Sequence, residues 1–123
     1  MKKIILLFAL LITVISSCKK NELGGSAVIK GSVAHHSKLI TKATVFIKFN
    51  AKEFPGADTT VYDAKVRVDA EGNYNFKCYK GNYYLYSYGY DYDIAAPYQV
   101  IGGAPASVRN KETVKINLAV SED

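Results

Sequence analysis

The side chains able to do chemistry are few: two cysteines, one His-His pair, scattered carboxylates and a dense run of tyrosines. His35 and His36 are adjacent, so on a strand they point to opposite faces and cannot hold one ion together. Both are expected to face solvent in a turn, and a zinc site would need three or four ligands. Asp91 and Asp93 share a face across Tyr92 and carry the oxygen chemistry of calcium, but too few further carboxylates lie near them. No Gly-x-Ser-x-Gly, His-Glu-x-x-His or phosphate-binding loop occurs. The expectation is a protein with no catalytic residue, no metal and no cofactor.

Tyrosine is the exception. Seven of the ten tyrosines lie between Tyr79 and Tyr92. If Tyr83 and Leu85 point into a core, strand alternation sends Tyr84, Tyr86, Tyr88, Tyr90 and Tyr92 to the opposite face. Rings at alternate positions stand about 7 Å apart. Such a row stacks on sugars or on apolar protein surface while its hydroxyls stay wet. These five residues are the candidate binding surface. A protein partner is favoured over a glycan, because no polar clamp for sugar hydroxyls is visible along the chain. The competing reading is a structural spacer. Tyrosine is a strong strand former, and segment 91–112 would cover the row by folding over it.

The elements that must position these residues are strands. From Ala27 onward apolar residues alternate with polar ones, and turn residues separate the runs. Strands are predicted over 28–33, 44–49, 60–68, 73–78, 83–90 and 113–120. Turns are expected at Phe54 to Asp58, at Asp69 to Gly72 and at Tyr79 to Asn82, with a looser region around Gly102, Gly103 and Pro105. No window reads as a helix. Six or seven short strands with regular turns imply an all-β sandwich. Tyr74, Phe76 and Cys78 share the inward face of the fourth run, which makes Cys78 a small buried hydrophobe.

The first seventeen residues fall outside this pattern. Lys2 and Lys3 precede an apolar run from Ile4 to Ile15, and Ser16 and Ser17 lead to Cys18. A positive start, a 7–15-residue apolar stretch and small residues at its end make a secretory signal. The run is too short for a spanning helix, which needs about 20 apolar residues. The sequence Ile15-Ser16-Ser17-Cys18 resembles the bacterial lipobox. That resemblance implies cleavage before Cys18, lipidation of its thiol and amino group, and stable membrane anchoring by several acyl chains. Residues 18–26, ending Gly-Gly-Ser, read as a flexible tether reaching at most about 30 Å. Losing Lys2 and Lys3 lowers the formal net charge from +5 to +3. With its lysines scattered, the remainder lacks the dense basic face of a nucleic acid binder.

Four fragments in order carry a further resemblance: Gly31-Ser32-Val33, Ala43 to Ile47, Asp69 to Phe76, and Gly81 to Leu85 running to Gly89-Tyr90. Together they resemble the carboxypeptidase regulatory-like domain, a seven-stranded prealbumin-like β-sandwich, over 27–123. The 91–112 loop and the His35 to Lys38 turn depart from that pattern. In carboxypeptidases this domain is an accessory without zinc chemistry, so the resemblance implies no enzymatic activity. Similar domains in Bacteroidota-like envelope lipoproteins serve as modules or spacers on outer-membrane machinery. The implied setting is the cell envelope, with the outer membrane expected and the leaflet open. Transthyretin-like hydrolases share the fold type, but their C-terminal signature is missing. Sandwich domains of surface pilins join a Lys to an Asn beside a buried acid. Lys30 and Asn117 occupy the first and last strands, but Glu53, Glu71 and Glu112 all fall in turns.

Overall fold

The computed structural model describes residues 19–122; the leader 1–17 and Cys18, with its expected lipidation, lie outside the described residues. Nine strands follow in chain order: β1 (Leu23–His35), β2 (Lys38–Leu39), β3 (Ala43–Phe49), β4 (Ala64–Arg67), β5 (Asn73–Cys78), β6 (Gly81–Tyr90), β7 (Gln99–Val108), β8 (Thr113–Lys115) and β9 (Leu118–Ala119). One short 3-10 turn, Thr59–Val61, precedes β4. In one sheet β1 is central, antiparallel to β5 and β2, with β8 and β9 running parallel to it. The second sheet is antiparallel in the order β4-β3-β6-β7. Counting β8 and β9 as one interrupted strand and setting aside two-residue β2, seven strand positions build an all-β sandwich.

Alternation explains the elements. Strand β5 buries Tyr74, Phe76 and Cys78 and exposes Asn73, Asn75 and Lys77. Strand β3 buries Ala43, Val45 and Ile47. These inner faces meet Ile29, Val33, Leu85, Val100 and Leu118 in one core. Each such aliphatic side chain contributes about 1.5–3 kcal/mol relative to exposure. Cys78 is fully buried, and desolvation pushes its thiol pKa up, which keeps it inert. The Asp69 turn is built as its residues dictate. Its carboxylate accepts from the backbone N–H groups of Glu71 (2.9 Å) and Asn73 (3.0 Å), and Gly72 takes φ 78°.

Three regions depart from the sequence reading. The expected tether is shorter than 18–26, because β1 already begins at Leu23. Gly24 and Gly25, read as a hinge, form a bulge in which Leu23 and Ala27 both pair with Cys78. Both glycines have positive φ, and a Cβ on Gly25 would lie 2.6 Å from the Tyr79 ring. Asn21 then clamps the β5–β6 hairpin. Its backbone N–H donates to the Lys80 carbonyl and its side-chain oxygen accepts from Asn82 N–H, both at 2.9 Å.

The looser region holds a ten-residue strand, β7, paired with β6 from Gly81↔Val108 to Tyr90↔Gln99. Gly102, Gly103 and Pro105 hid it, but Pro is tolerated on an edge strand. Gly102 has a packing reason, since a Cβ there would lie 2.2 Å from the Ala119 carbonyl oxygen. The chain end crosses there from one sheet to the other, and Ile101 and Ser121 exchange backbone bonds of 2.8 and 2.9 Å. The predicted strand 60–68 is cut to Ala64–Arg67, because Asp58 caps the 3-10 turn by accepting from Thr60.

Candidate functional site

Strand β6 is central in its sheet, so its two faces have different fates. Tyr83, Leu85, Ser87 and Gly89 point into the core, and Tyr84, Tyr86, Tyr88 and Tyr90 point outward. The outward row is not uniform. Tyr86 is only 2% exposed. The segment between β3 and β4, rather than 91–112, folds over this end. Tyr62 stacks on Tyr86 at 5.6 Å and 20°, and Phe54 lies 5.5 Å from Tyr86 and 5.8 Å from Tyr84. Tyr62 donates its hydroxyl to the Gly56 carbonyl, and Asp63 accepts from the backbone N–H of Phe49, which pins the flap. Burial pushes the Tyr62 hydroxyl pKa up to about 12, and that of Tyr86 in the same direction. Tyr62 thus caps the outer face of the sheet. Tyr86 is therefore removed from the candidate binding surface, and Tyr84 is half-covered.

The other end of the row is open. Tyr88 packs edge-on against Tyr90 (5.7 Å, 83°), Tyr90 lies parallel to Tyr92 (6.2 Å, 9°), and Tyr92 meets Tyr98 (5.3 Å). Tyr90, Tyr92 and Tyr98 are 39%, 58% and 37% exposed. Lys42 stands over the Tyr92 ring at 5.7 Å. A hydrogen bond to Tyr90 holds the Tyr88 hydroxyl pKa above its usual value. Tyr98 extends the patch beyond the sequence expectation. Its φ of 68° is left-handed, an outlier for a bulky residue.

A buried ionic cluster fixes the loop that carries Tyr92 and Tyr98. Asp91 is 4% exposed. Its carboxylate meets His35 Nδ1 at 2.9 Å, accepts from Lys38 Nζ at 2.8 Å, and caps the Asp93 backbone N–H at 3.0 Å. Lys38 also pairs with Asp93. The Lys38 and His35 hydrogen bonds hold the Asp91 carboxyl well below the usual carboxylate range, and the same pairing raises the Lys38 pKa. His35 was expected in solvent but is buried. The signal was present, since alternation through Ala27, Ile29, Gly31 and Val33 continues inward to His35. Asp91 and Asp93 share the ammonium group of Lys38. Among the described residues no three His, Cys, Asp or Glu are grouped to hold a metal.

The poles of β6 are also distinct. Gly81 begins at the Asn21 clamp where the chain enters the domain, and Tyr90 ends at the aromatic patch. Ten residues place these poles roughly 30 Å apart. Neither Lys30 nor Asn117 is joined to the other. The Asn117 side-chain oxygen accepts from the Ser32 N–H and hydroxyl, both at 3.2 Å.

The fold and site define a β-sandwich with one exposed aromatic pole. No family model and no curated protein matches the chain. Two crystal structures share the fold. One is a DUF3823 family protein from Parabacteroides merdae (TM-score 0.52, 12% identity), matched over 80% of this chain and 47% of that one, so this chain spans about half its length. The other is a proposed carbohydrate binding protein from Pseudomonas aeruginosa (TM-score 0.55, 14% identity), matched over 85% and 93% of the two chains. At these identities the likeness is one of fold.

Proposed function

We propose that this protein is a non-enzymatic recognition module of the cell envelope, anchored through lipid on Cys18 in the outer membrane, that contacts a protein partner through Tyr88, Tyr90, Tyr92 and Tyr98. One observation carries the reading: the exposed rings are packed on one another and on a loop locked by Asp91. Tyrosine supplies large contact area at low entropic cost, as interface anchors do. Tyr92 has Tyr90 and Lys42 over its ring, so the patch offers edges and hydroxyls more than a free ring face for a sugar.

The anchor reading rests on the lipobox-like Ile15 to Cys18, and the geometry supports its use. Asn21 is already clamped, so only Lys19 and Lys20 separate Cys18 from the folded body, about 10 Å of chain. The entry pole would rest near the bilayer with Lys19, Lys20, Lys80, Arg109 and Lys111 around it. Cations near an anionic leaflet contribute about 1 kcal/mol each. The aromatic pole would then point away from the membrane.

The test replaces Tyr92 and Tyr98 with Ser and follows in-cell cross-linking together with melting. Loss of a cross-linked partner at unchanged melting supports recognition; unchanged cross-links sink it. Labelled palmitate should appear on the parent protein and not on Cys18→Ser. A second reading, carbohydrate binding, is supported by the likeness to the Pseudomonas protein, and a blank glycan array would end it.

A further inference from the structure

The outer face of the β1 sheet carries a different chemistry from the tyrosine pole. A groove of about 650 Å³ crosses it, within the range of ligand sites. It is lined by Lys115 on β8 and Asn117 beyond it, Lys30 and Ser32 on β1, and Asn73 and Asn75 on β5, and it ends against Arg67 and Asp69. The register sets two of its cations side by side, because Lys30 pairs directly with Lys115 in the parallel β1–β8 ladder. Lys77 lies on the same face of β5, two residues beyond Asn75.

Like charges directly opposite each other destabilise a sheet. Among the described residues the ion pairs engage His35, Lys38 and Lys48, and none reaches Lys30, Lys77, Lys115 or Arg67. Asp69, the acid in the lining, has an oxygen committed to its turn through the N–H groups of Glu71 and Asn73. The groove is thus a net cationic strip, Lys30, Lys115 and Arg67 against the single carboxylate of Asp69, interleaved with three carboxamides and a hydroxyl. Asn117 has its oxygen held by Ser32, which leaves the amide nitrogen as a donor.

We infer that this groove binds an acidic polysaccharide, its carboxylate or sulfate groups between Lys30, Lys115 and Arg67 and its hydroxyls on Asn73, Asn75 and Asn117. The alternation of charge and amide selects this ligand. A single-stranded nucleic acid site would want aromatic platforms as well as cations. Tyr74, the aromatic residue in the lining, is buried with its hydroxyl donated to the Ile116 carbonyl at 2.5 Å. Ammonium groups on flexible stems accept anionic groups as point charges, which suits a chain of repeating acids. The inference does not depend on the tyrosine pole.

The test is calorimetric titration of the full chain, held in a neutral detergent, with polygalacturonate and with chondroitin sulfate. Neutral dextran, phosphatidylglycerol vesicles and a single-stranded oligonucleotide serve as comparators. Binding of at least one acidic polysaccharide is expected, weakening roughly tenfold as screening rises from low to several-hundred-millimolar salt. Lys30→Gln combined with Lys115→Gln should weaken it by roughly tenfold or more, as loss of charge-assisted bonds requires. Asn75→Ala should weaken it severalfold, while Lys52→Gln leaves it unchanged. Relief of the lysine pair should leave melting of the double variant at or above that of the parent, so lost binding cannot be lost folding. The inference is overturned if dextran binds equally, if both acidic polymers are inert, if the double variant binds like the parent, or if vesicles or the oligonucleotide bind more tightly.

Discussion

The two ends of the outer face of β6 begin from the same residue type and finish in opposite states. At the Tyr84–Tyr86 end, Phe54 and Tyr62 fold down and the rings become a second, smaller core outside the sandwich. At the Tyr88–Tyr90 end no such flap arrives among the described residues, and Tyr92 and Tyr98 extend the row into solvent. Identical side chains on one strand thus pack into a core at one end and stay exposed at the other. What separates them is the capped 3-10 turn on one side and the Asp91 lock on the other.

The sharpest way to break this comparison is to truncate one ring at each end. Tyr86→Ala empties a space bounded by Phe46, Phe54 and Tyr62, and should cost about 3 kcal/mol in denaturant unfolding. A loss below about 1 kcal/mol would show that the flap does not hold this end. Next in size is Asp91→Ala, which removes the 2.9 Å partner of buried His35 and leaves it Glu122 alone, at 4.0 Å. It should lower the melting temperature and admit protease to 91–98, while Tyr86→Ala should leave that loop protected until global unfolding.

The same lock predicts a pH dependence. Asp91 titrates below its unfolded value, so its contribution is present above about pH 4 and disappears as pH falls toward its lowered folded value. Melting curves should decline across that acid window, and Asp91→Asn should flatten the decline. Lys38, with a raised pKa, contributes below its unfolded value near 10.4 and loses that contribution as pH rises through its folded value. An equal acid decline in parent and Asp91→Asn would remove Asp91 as its cause.

Two smaller effects sharpen the contrast. Ser87 is fully buried with a hydroxyl that has no partner among the described residues. Ser87→Ala should be neutral or stabilising by about 1 kcal/mol; a clear loss would mean that the hydroxyl is bonded in solution. Tyr92→Ser at the open end should shift stability by no more than about 0.5 kcal/mol. Its readout is partner cross-linking, so unchanged melting with lost contact separates recognition from packing.

Period two was enough to find β3, β5 and β6, because alternation is local and each of these strands keeps one face in the core. The Asp69 to Gly72 turn was equally legible, since its cap and its positive φ lie within a few residues of chain. Strand β7 was not, because its glycines and proline break the local signal while its edge position and the crossing at Ala119 make them acceptable. The Gly24-Gly25 pair reads the same in a hinge and in a bulge, and only the Tyr79 ring distinguishes them.

Tyr88, Tyr90 and Tyr92 of the aromatic site were nameable from sequence, but Tyr98 was not, and neither was the exposure of any of them. Alternation says which side of a strand a ring takes, and it is a property of consecutive residues. Which rings stay wet depends on what a segment some twenty to thirty residues away covers, as Phe54 and Tyr62 do for Tyr86. The pairing of Asp91 with His35 and Lys38 spans more than fifty residues and exists only once β1 and β6 are brought together. Sequence alone therefore determined the all-β character and the inward faces of β3, β5 and β6. The tertiary structure decided which outward residues form a surface, because burial is set by contacts between distant parts of the chain.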